Sequence, residues 1–479
     1  MPGVEGVAAR SSLVEEMAVG RLGDQRLNER RDRLMAVLEQ QPDTPFPEAC
    51  ADDAEVEALY RFLRNRRVSL TTLIEPHVAA SQRRCAAVGE ILVIHDTTDM
   101  VFAGEAPRAG LAVLGKGRHG FWVHAALAVS AEGLRIPLGL LSVLPFVRKT
   151  QPPGTRKDEH ARFEDPDKES RYWRDGVAAA RARLSDPAAA IHVMDRGADS
   201  YELFAALIAQ RDRFVVRLTH DRRVQTADGA APLHDEMARA AIVCERAITV
   251  APRRTGNRPQ QARKKYPPRE SRVATLQFTA RTITALRPQA PEYRHLPPTL
   301  TVNVVSAVER AAPPGDDAVE WRLITTEAIA TVDDVLRIVD WYRARWVIEE
   351  FFKALKTGCA YEKRQLESLA TLLVALALLA PIAWQLLLLR HLARHAPEGA
   401  ATVALSRRQL QVLSAVPAGA RLGTAPSVRD TLGAIARLGG HLRQNGAPGW
   451  LVLGRGMHTL RLMEVGWAAA ERSRECDQS

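Results

Sequence analysis

Two short apolar runs in this chain stop on an aspartate, and they restrict the fold more than any other feature. Glu90 to His95 reads EILVIH and precedes Asp96, and Ile191 to Met194 reads IHVM and precedes Asp195. Short β-branched and aliphatic runs bounded by polar residues read as buried strands. A strand of that kind holds a carboxylate rigidly at its C-terminal tip, where open α/β sheets face their ligands. The first strand is expected to end at Asp96, with Thr97 and Thr98 as turn formers.

The elements around these strands fall into an order. Phe121 to Ser130 and Leu134 to Val143 read as two further strands joined by a turn at Ala131 to Gly133, which gives an antiparallel meander with the first. A polar, proline-interrupted stretch leads to a predicted helix from Lys168 to Leu184. The strand before Asp195 follows, then a helix from about Asp199 to Gln210, then a strand from Arg213 to Thr219. Three strands, then helix, strand, helix, strand is a ribonuclease H-like order. Residues from about 220 to 330 break it with alternating segments at Ala241 to Val250, Ser271 to Ala285 and Thr299 to Val308, read as a β-rich insertion. The basic run RRTGNRPQQARKKYPPRESR lies inside it, a natural clamp for DNA if it is not a disordered tail.

A long helix is predicted to begin at a capping box of Thr331 and Asp334 and to reach about Lys356, with Gly358 as its stop. Ile338, Trp341, Ile348, Phe352 and Leu355 supply its packed face. Tyr342, Arg345, Glu349 and Lys356 recur at intervals of three, four and seven, nearly on one line. Helix ion pairs would explain Arg345 and Lys356, and a core aromatic with a wet tip would explain Tyr342. The alternative is a stripe that grips phosphates, Arg345 as a fork and Lys356 as a point charge. Glu350 lies about a quarter turn from Glu349 and is expected to be a bystander.

Leu369 to Leu389 carries no formal charge and is long enough to span a bilayer. It follows the charged helix with no predicted loop, is rich in alanine and contains Pro381 and Gln385, which favours a buried bundle helix over an anchor. The N-terminal region reads as helical and basic. Leu27, Leu34, Val37 and Leu38 share one face, and Arg26, Arg30, Arg31 and Arg33 form a wet side. In a second helix, Ala54 to Asn65, Tyr60 is joined by Arg61 and Arg64, with Arg66 and Arg67 just beyond. From composition alone a solvated charged face is the better account of these arginines, and no helix-turn-helix spacing favours a phosphate grip over it. Beyond residue 400, Ser406 to Val416, Ser427 to Leu442 and Gly456 to Arg472 read as helices suited to packing or self-association. The net charge of +10 favours a polyanionic partner without singling one out. The five cysteines lie far apart, which argues against a zinc cluster or a disulfide framework and for a reducing cytoplasm.

Asp96, Asp195 and Glu349, from two strand ends and a helix, are hard oxygen donors that suit Mg²⁺, or Mn²⁺ as a substitute. Two ions held by such a set can activate an attacking oxygen and stabilise a leaving one. Any one of the three acids is ordinarily a turn, cap or solvated residue; the triad is what carries weight.

The chain resembles DDE transposases of the insertion-sequence-four type. Tyr342, Arg345, Glu349 and Lys356 match the family's Y-x₂-R-x₃-E-x₆-K signature, HDTTDM its first acidic block, and VMDRGADSYELF its second. RFVVRLTH, EWRLITTE, KESRYWRDGV, LGDQRLNERRD, YRFLRN and IARLGG also look alike. The resemblance implies an α/β fold: a ribonuclease H-like catalytic domain over 76–370, a helical N-terminal DNA-binding domain over 1–75 and a helical C-terminal dimerisation domain over 371–479. It implies Asp96, Asp195 and Glu349 as catalytic metal ligands with two Mg²⁺ ions per site. Tyr342, Arg345, Lys356 and Arg217 would hold DNA phosphates, and Trp321 would stack a flipped base. Arg26, Arg30, Tyr60, Arg61 and Arg64 would bind the DNA ends. The expected partners are double-stranded DNA with terminal inverted repeats, target DNA and a second copy of the chain in an end-paired complex, with no membrane. The implied activity is cut-and-paste transposition through a hairpin on the transposon end, in a bacterial cytoplasm and at the nucleoid when DNA-bound. The alternative is a DNA-binding transposition inhibitor or a copy without catalysis.

Overall fold

A computed structural model describes residues 13–40, 50, 52–104, 108–115, 118–147, 169–250, 268–419, 422–442, 444 and 446–477. In chain order its elements begin with helices α1 (Leu13–Ala18), α2 (Gln25–Gln40), α3 (Asp53–Leu63) and α4 (Leu70–Ala86). Strands β1 (Ile91–Ala103), β2 (Ala112–Gly115), β3 (Arg118–Ser130) and β4 (Pro137–Phe146) follow, then α5 (Glu169–Arg181), β5 (Ala190–Met194), α6 (Tyr201–Ala209) and β6 (Arg213–Arg217). Next come β7 (Arg223–Thr226), β8 (Gly229–Pro232), α7 (Leu233–Ala238), β9 (Ile242–Val250), β10 (Arg272–Leu286), β11 (Thr299–Glu309) and β12 (Glu320–Thr325). The chain closes with α8 (Val332–Ala344), α9 (Trp346–Lys353), α10 (Leu369–His395), α11 (Arg407–Ser414), α12 (Val428–Leu438) and α13 (Trp450–Asp477). Two compact units result, neither continuous in sequence: one of residues 1–157, 175–189 and 346–479, the other of 158–174 and 190–345.

In the first unit β3 is central. β1 runs antiparallel to it from Ile91 opposite Ser130 to Ala103 opposite Arg118, and β4 and β2 pair with its other edge, so the predicted meander forms. α4 and α10 cover β4. α10 is the long apolar stretch, and 94% of its most apolar window is buried inside the protein. A helix apolar all round requires neighbours on every side. Here Trp384 donates its indole N–H to the Pro137 carbonyl at 3.1 Å, and the Arg84 guanidinium covers its ring at 4.2 Å. α13 packs on α2 and α12, and Gly456 makes the second contact close: a Cβ there would meet the Ile435 carbonyl oxygen at 1.9 Å.

In the second unit β5 and β6 are parallel, as a strand–helix–strand connection requires. β12 then pairs antiparallel with β6, β11 with β12, and β10 with β11, while β9 and β7 both pair with β10 and β8 with β7. The insertion therefore continues the sheet through β12 rather than standing apart. β9, β10 and β11 lie within a residue of the expected segments; β7, β8 and β12 are not among them, nor is the pairing of β12 with β6, which joins segments about a hundred residues apart.

Five expectations need correction. β1 does not stop at Asp96: the pair Asp96 and Ala125 lies mid-strand, and Thr97, Thr98, Val101 and Phe102 continue it. Threonine's branched Cβ suits a pleated strand as well as a turn. The long helix is interrupted, because Arg345 bonds its N–H to Tyr342 three residues back, and α9 ends in a π turn from Ala354 to Gly358. Gly358 lacks the left-handed backbone of a glycine stop; Ala360 adopts it instead, at φ 46°. A 3₁₀ turn at Tyr361–Lys363 separates this helix from α10. Finally, Arg31 is not on the wet face of α2 but 2% exposed, donating to the Ala18 and Gly20 carbonyls. Most of the basic run at 253–272 lies outside the described residues, as do the side chains of Val37 and Leu38.

Candidate active site and nucleic-acid interface

In the first unit, Asp96 stands half-buried on β1, its carboxylate accepting the Thr97 N–H at 2.8 Å. The strand is braced from behind. His95 and His124 are fully buried with ring nitrogens 3.4 Å apart, and His124 Nδ1 meets Thr97 Oγ1 at 2.9 Å. Burial lowers the His124 pKa to about 3, so the ring is neutral. Gly176 of α5 permits this packing, since a Cβ there would lie 2.3 Å from His124 Nε2.

Glu349 is half-buried on α9, and α9 packs against β1. Glu350 is turned elsewhere, 2.8 Å from Lys353 and 3.8 Å from Arg394. Burial alone would raise its pKa, but Lys353 and the nearby arginines carry it below the usual value. Lys356, in the π turn, reaches back to β1. Its ammonium donates to the Asp99 carbonyl and lies 3.3 Å from both the Asp99 and Glu362 carboxylates. Glu362 in turn accepts the Val101 N–H at 3.0 Å. No periodicity in the sequence announced this tie.

In the second unit, Asp195 follows β5 directly, as expected, and caps a short 3₁₀ turn by accepting the Gly197 N–H at 2.7 Å. Trp321 lies on β12, edge-on to Tyr342 of α8 with centroids 6.0 Å apart. Tyr342 is only 6% exposed, more a core aromatic than a surface one. Arg217 ends β6 and donates to the Glu320 carbonyl at 3.0 Å, and Arg345 is half-buried. Asp96, Glu349 and Lys356 thus share one unit, and Asp195, Arg217, Trp321, Tyr342 and Arg345 the other. Among the described residues no three His, Cys, Asp or Glu side chains form a group that could hold a metal ion.

The N-terminal candidates are surface residues of the first unit. Arg26, Arg61 and Arg64 are exposed, and Arg30 and Tyr60 are half-buried. Arg64 lies 5.8 Å over the Tyr60 ring and 3.3 Å from Glu367, and Arg61 lies 3.7 Å from Glu57. Exposed ion pairs contribute at most about 1 kcal/mol, so exchanging these carboxylates for phosphates costs little.

Residues 9–68 match the transposase DNA-binding family, and residues 168–384 match the transposase DDE domain family. The second match includes Asp195, Trp321, Tyr342, Arg345, Glu349 and Lys356, and begins after Asp96. Among solved structures, the chain is similar at 9% identity and a TM-score of 0.36 to a piggyBac transposase in a synaptic complex with hairpin DNA, over 84% of this chain and 77% of that one. A likeness that weak bears on neither fold detail nor chemistry.

Proposed function

We propose that this chain, a DDE transposase by its matched DNA-binding and DDE domains, excises and reinserts a DNA element by cut-and-paste transposition. The DDE domain implies a ribonuclease H-like fold, and DNA is the partner. Within the family, the insertion-sequence-four type and a likeness to the transposase of transposon five are our finer reading, resting on the signature from Tyr342 to Lys356.

The observation that carries the catalytic reading is that the strand of Asp96 and the helix of Glu349 pack on each other within one compact unit. Asp195 at the tip of β5 is the proposed third acid. All three are half-buried carboxylates, and such hard oxygen donors fit Mg²⁺ or Mn²⁺. Two such ions, when bound, supply activation of the attacking oxygen and stabilisation of the leaving one. The protein's own part is to position DNA. Lys356 and Arg345 neutralise phosphate oxygens, Arg217 adds a third cation, and Tyr342 offers its hydroxyl. Trp321 offers a ring face to an unstacked base during hairpin formation. Arg26 and Arg30 of α2, with Tyr60, Arg61 and Arg64, grip the element's ends. A homodimer holding two ends, in the cytoplasm and at the nucleoid, completes the proposal.

The test is incubation of the purified chain and Mg²⁺ with DNA carrying the element's ends, the products resolved on a denaturing gel. Nicked, hairpinned and strand-transferred species are expected. DNA binding without any of them overturns catalysis and leaves a DNA-binding inhibitor.

A further inference from the structure

We propose that a cavity of about 630 Å³ in the second unit binds one nucleotide of a DNA strand, its phosphate on Arg223 and Arg287 and its base against Tyr293. The proposal rests on the reading that this chain handles DNA, and it adds a subsite to that reading.

The charge of the cavity comes first. Three arginines line it, Arg222, Arg223 and Arg287, against one acid, Asp199. Asp199 is committed elsewhere: its fully buried carboxylate accepts the N–H groups of Thr219 at 2.6 Å and His220 at 2.8 Å and pairs with Arg222. Arg222 is therefore neutralised and fixed, with its guanidinium over the Phe204 ring at 5.0 Å. Its side chain is nine-tenths buried, yet among the described residues its Nε has no hydrogen-bond acceptor, a cost that a purely structural ion pair leaves unexplained.

Arg223 and Arg287 are held differently. Arg223 donates to the Ala230 carbonyl at 3.0 Å, and Arg287 to the carbonyls of Arg294 and Leu296 at 2.7 and 2.6 Å. Carbonyls orient a guanidinium without cancelling its charge, and among the described residues neither arginine is ion-paired with a carboxylate. Two oriented forks beside a neutralised third are suited to a phosphodiester.

Shape and position specify the rest. The volume falls in the range of small-ligand sites and accepts a nucleotide. Tyr201 and Tyr293 form its aromatic wall, and the Tyr201 hydroxyl is tied to the Pro297 carbonyl at 3.0 Å. An aromatic face beside paired cations is the arrangement by which single strands are held without sequence preference. Gly197 forms part of the rim two residues after Asp195, and a Cβ there would crowd Asp195 Oδ1 and Trp173 at 3.0 Å each. The cavity thus lies beside the proposed catalytic acid Asp195.

The experiment reads binding rather than cleavage, in EDTA, with the full chain and a fluorescent oligothymidylate carrying 5-iodouracil. Irradiation followed by peptide mapping is expected to place cross-links on Tyr201 or Tyr293. The double variant Arg223→Ala, Arg287→Ala is expected to bind roughly tenfold more weakly, with a salt slope smaller by about 0.7, one neutralised phosphate on a single strand. Arg223→Lys with Arg287→Lys should recover most of both. Cross-links confined to other peptides overturn the proposal, even if the alanine variant folds poorly. Thymidine monophosphate competing as well as the oligonucleotide overturns the assignment to a DNA strand. Cleavage by the wild type without cross-links here sinks this proposal alone, and cross-links here without cleavage sink the catalytic reading alone.

Discussion

Lys356 and Glu362 stand 3.3 Å apart, and Glu362 at the same time holds the Val101 amide of β1. The cation proposed to meet a DNA phosphate is therefore already occupied by carboxylates, those of Glu362 and Asp99. A phosphate has to displace them. Glu362→Gln keeps an oxygen for the Val101 N–H and removes one competing charge. It is expected to tighten DNA binding roughly two- to fivefold at low salt, the range of a partly exposed ion pair, with the gain lost as salt screens it. Fluorescence anisotropy against ionic strength checks this. Unchanged binding at every salt concentration means that Lys356 does not reach DNA.

Tyr342 separates a packing role from a chemical one. Its ring is nearly buried against Trp321, so Tyr342→Ala should cost about 3 kcal/mol of stability. Tyr342→Phe removes only the hydroxyl and should cost less than about 1 kcal/mol. If the hydroxyl contacts a phosphate, the phenylalanine variant nonetheless cleaves about tenfold more slowly, by the loss of one hydrogen bond to a charged group. Urea unfolding and single-turnover cleavage measure the two effects. A phenylalanine variant of wild-type rate assigns Tyr342 to the core alone.

The buried carboxylate of Glu16 ties α1 to α4. It meets His77 Nδ1 at 2.7 Å and Arg84 at 2.8 Å, while His77 Nε2 accepts the Leu140 N–H at 3.3 Å. Burial would raise the Glu16 pKa, but the hydrogen bond from His77 and the adjacent Arg84 guanidinium more than reverse this and lower it from 4.5 to about 2. A depressed carboxylate pKa stabilises the fold fully above pH 4.5, and that contribution is lost as pH falls through about 2. Glu16→Gln should therefore lose about 3 kcal/mol at pH 7, with the gap to wild type narrowing steadily below pH 4. Denaturant unfolding across that range tests it; equal stability at pH 7 refutes the tie.

The sequence made local features legible, because their causes are local. The Thr331–Asp334 capping box forms as read, with both reciprocal hydrogen bonds in place. Asp195 ends its strand, and the apolar stretch from Leu369 is a buried helix. What escaped depends on tertiary contacts. Threonines after Asp96 stay in β1 because β3 offers thirteen residues of partner. Arg31 is buried because two carbonyls of the turn after α1 await it, a fact no helical wheel contains. The π turn that carries Lys356 inserts an offset into the seven-residue stripe, and only the packing of α9 and α10 reveals it. Among site residues, Asp99 and Glu362 were missed for the same reason: they meet Lys356 across more than two hundred residues or around a turn, and neither lies on its stripe.

The central claim is that Asp96, Asp195 and Glu349 act as one metal-dependent cleavage set. Its most direct test is the rate of nicking of end-bearing DNA, with Mg²⁺ and then Mn²⁺, by the wild type and by Asp96→Asn, Asp195→Asn and Glu349→Gln, alongside DNA binding by each. The account predicts wild-type nicking that stops on chelation, and three variants that bind DNA with near wild-type affinity yet nick it at least about a thousandfold more slowly, the scale on which loss of transition-state charge stabilisation is felt. A variant that nicks at the wild-type rate, or a wild type that nicks equally well in EDTA, contradicts it.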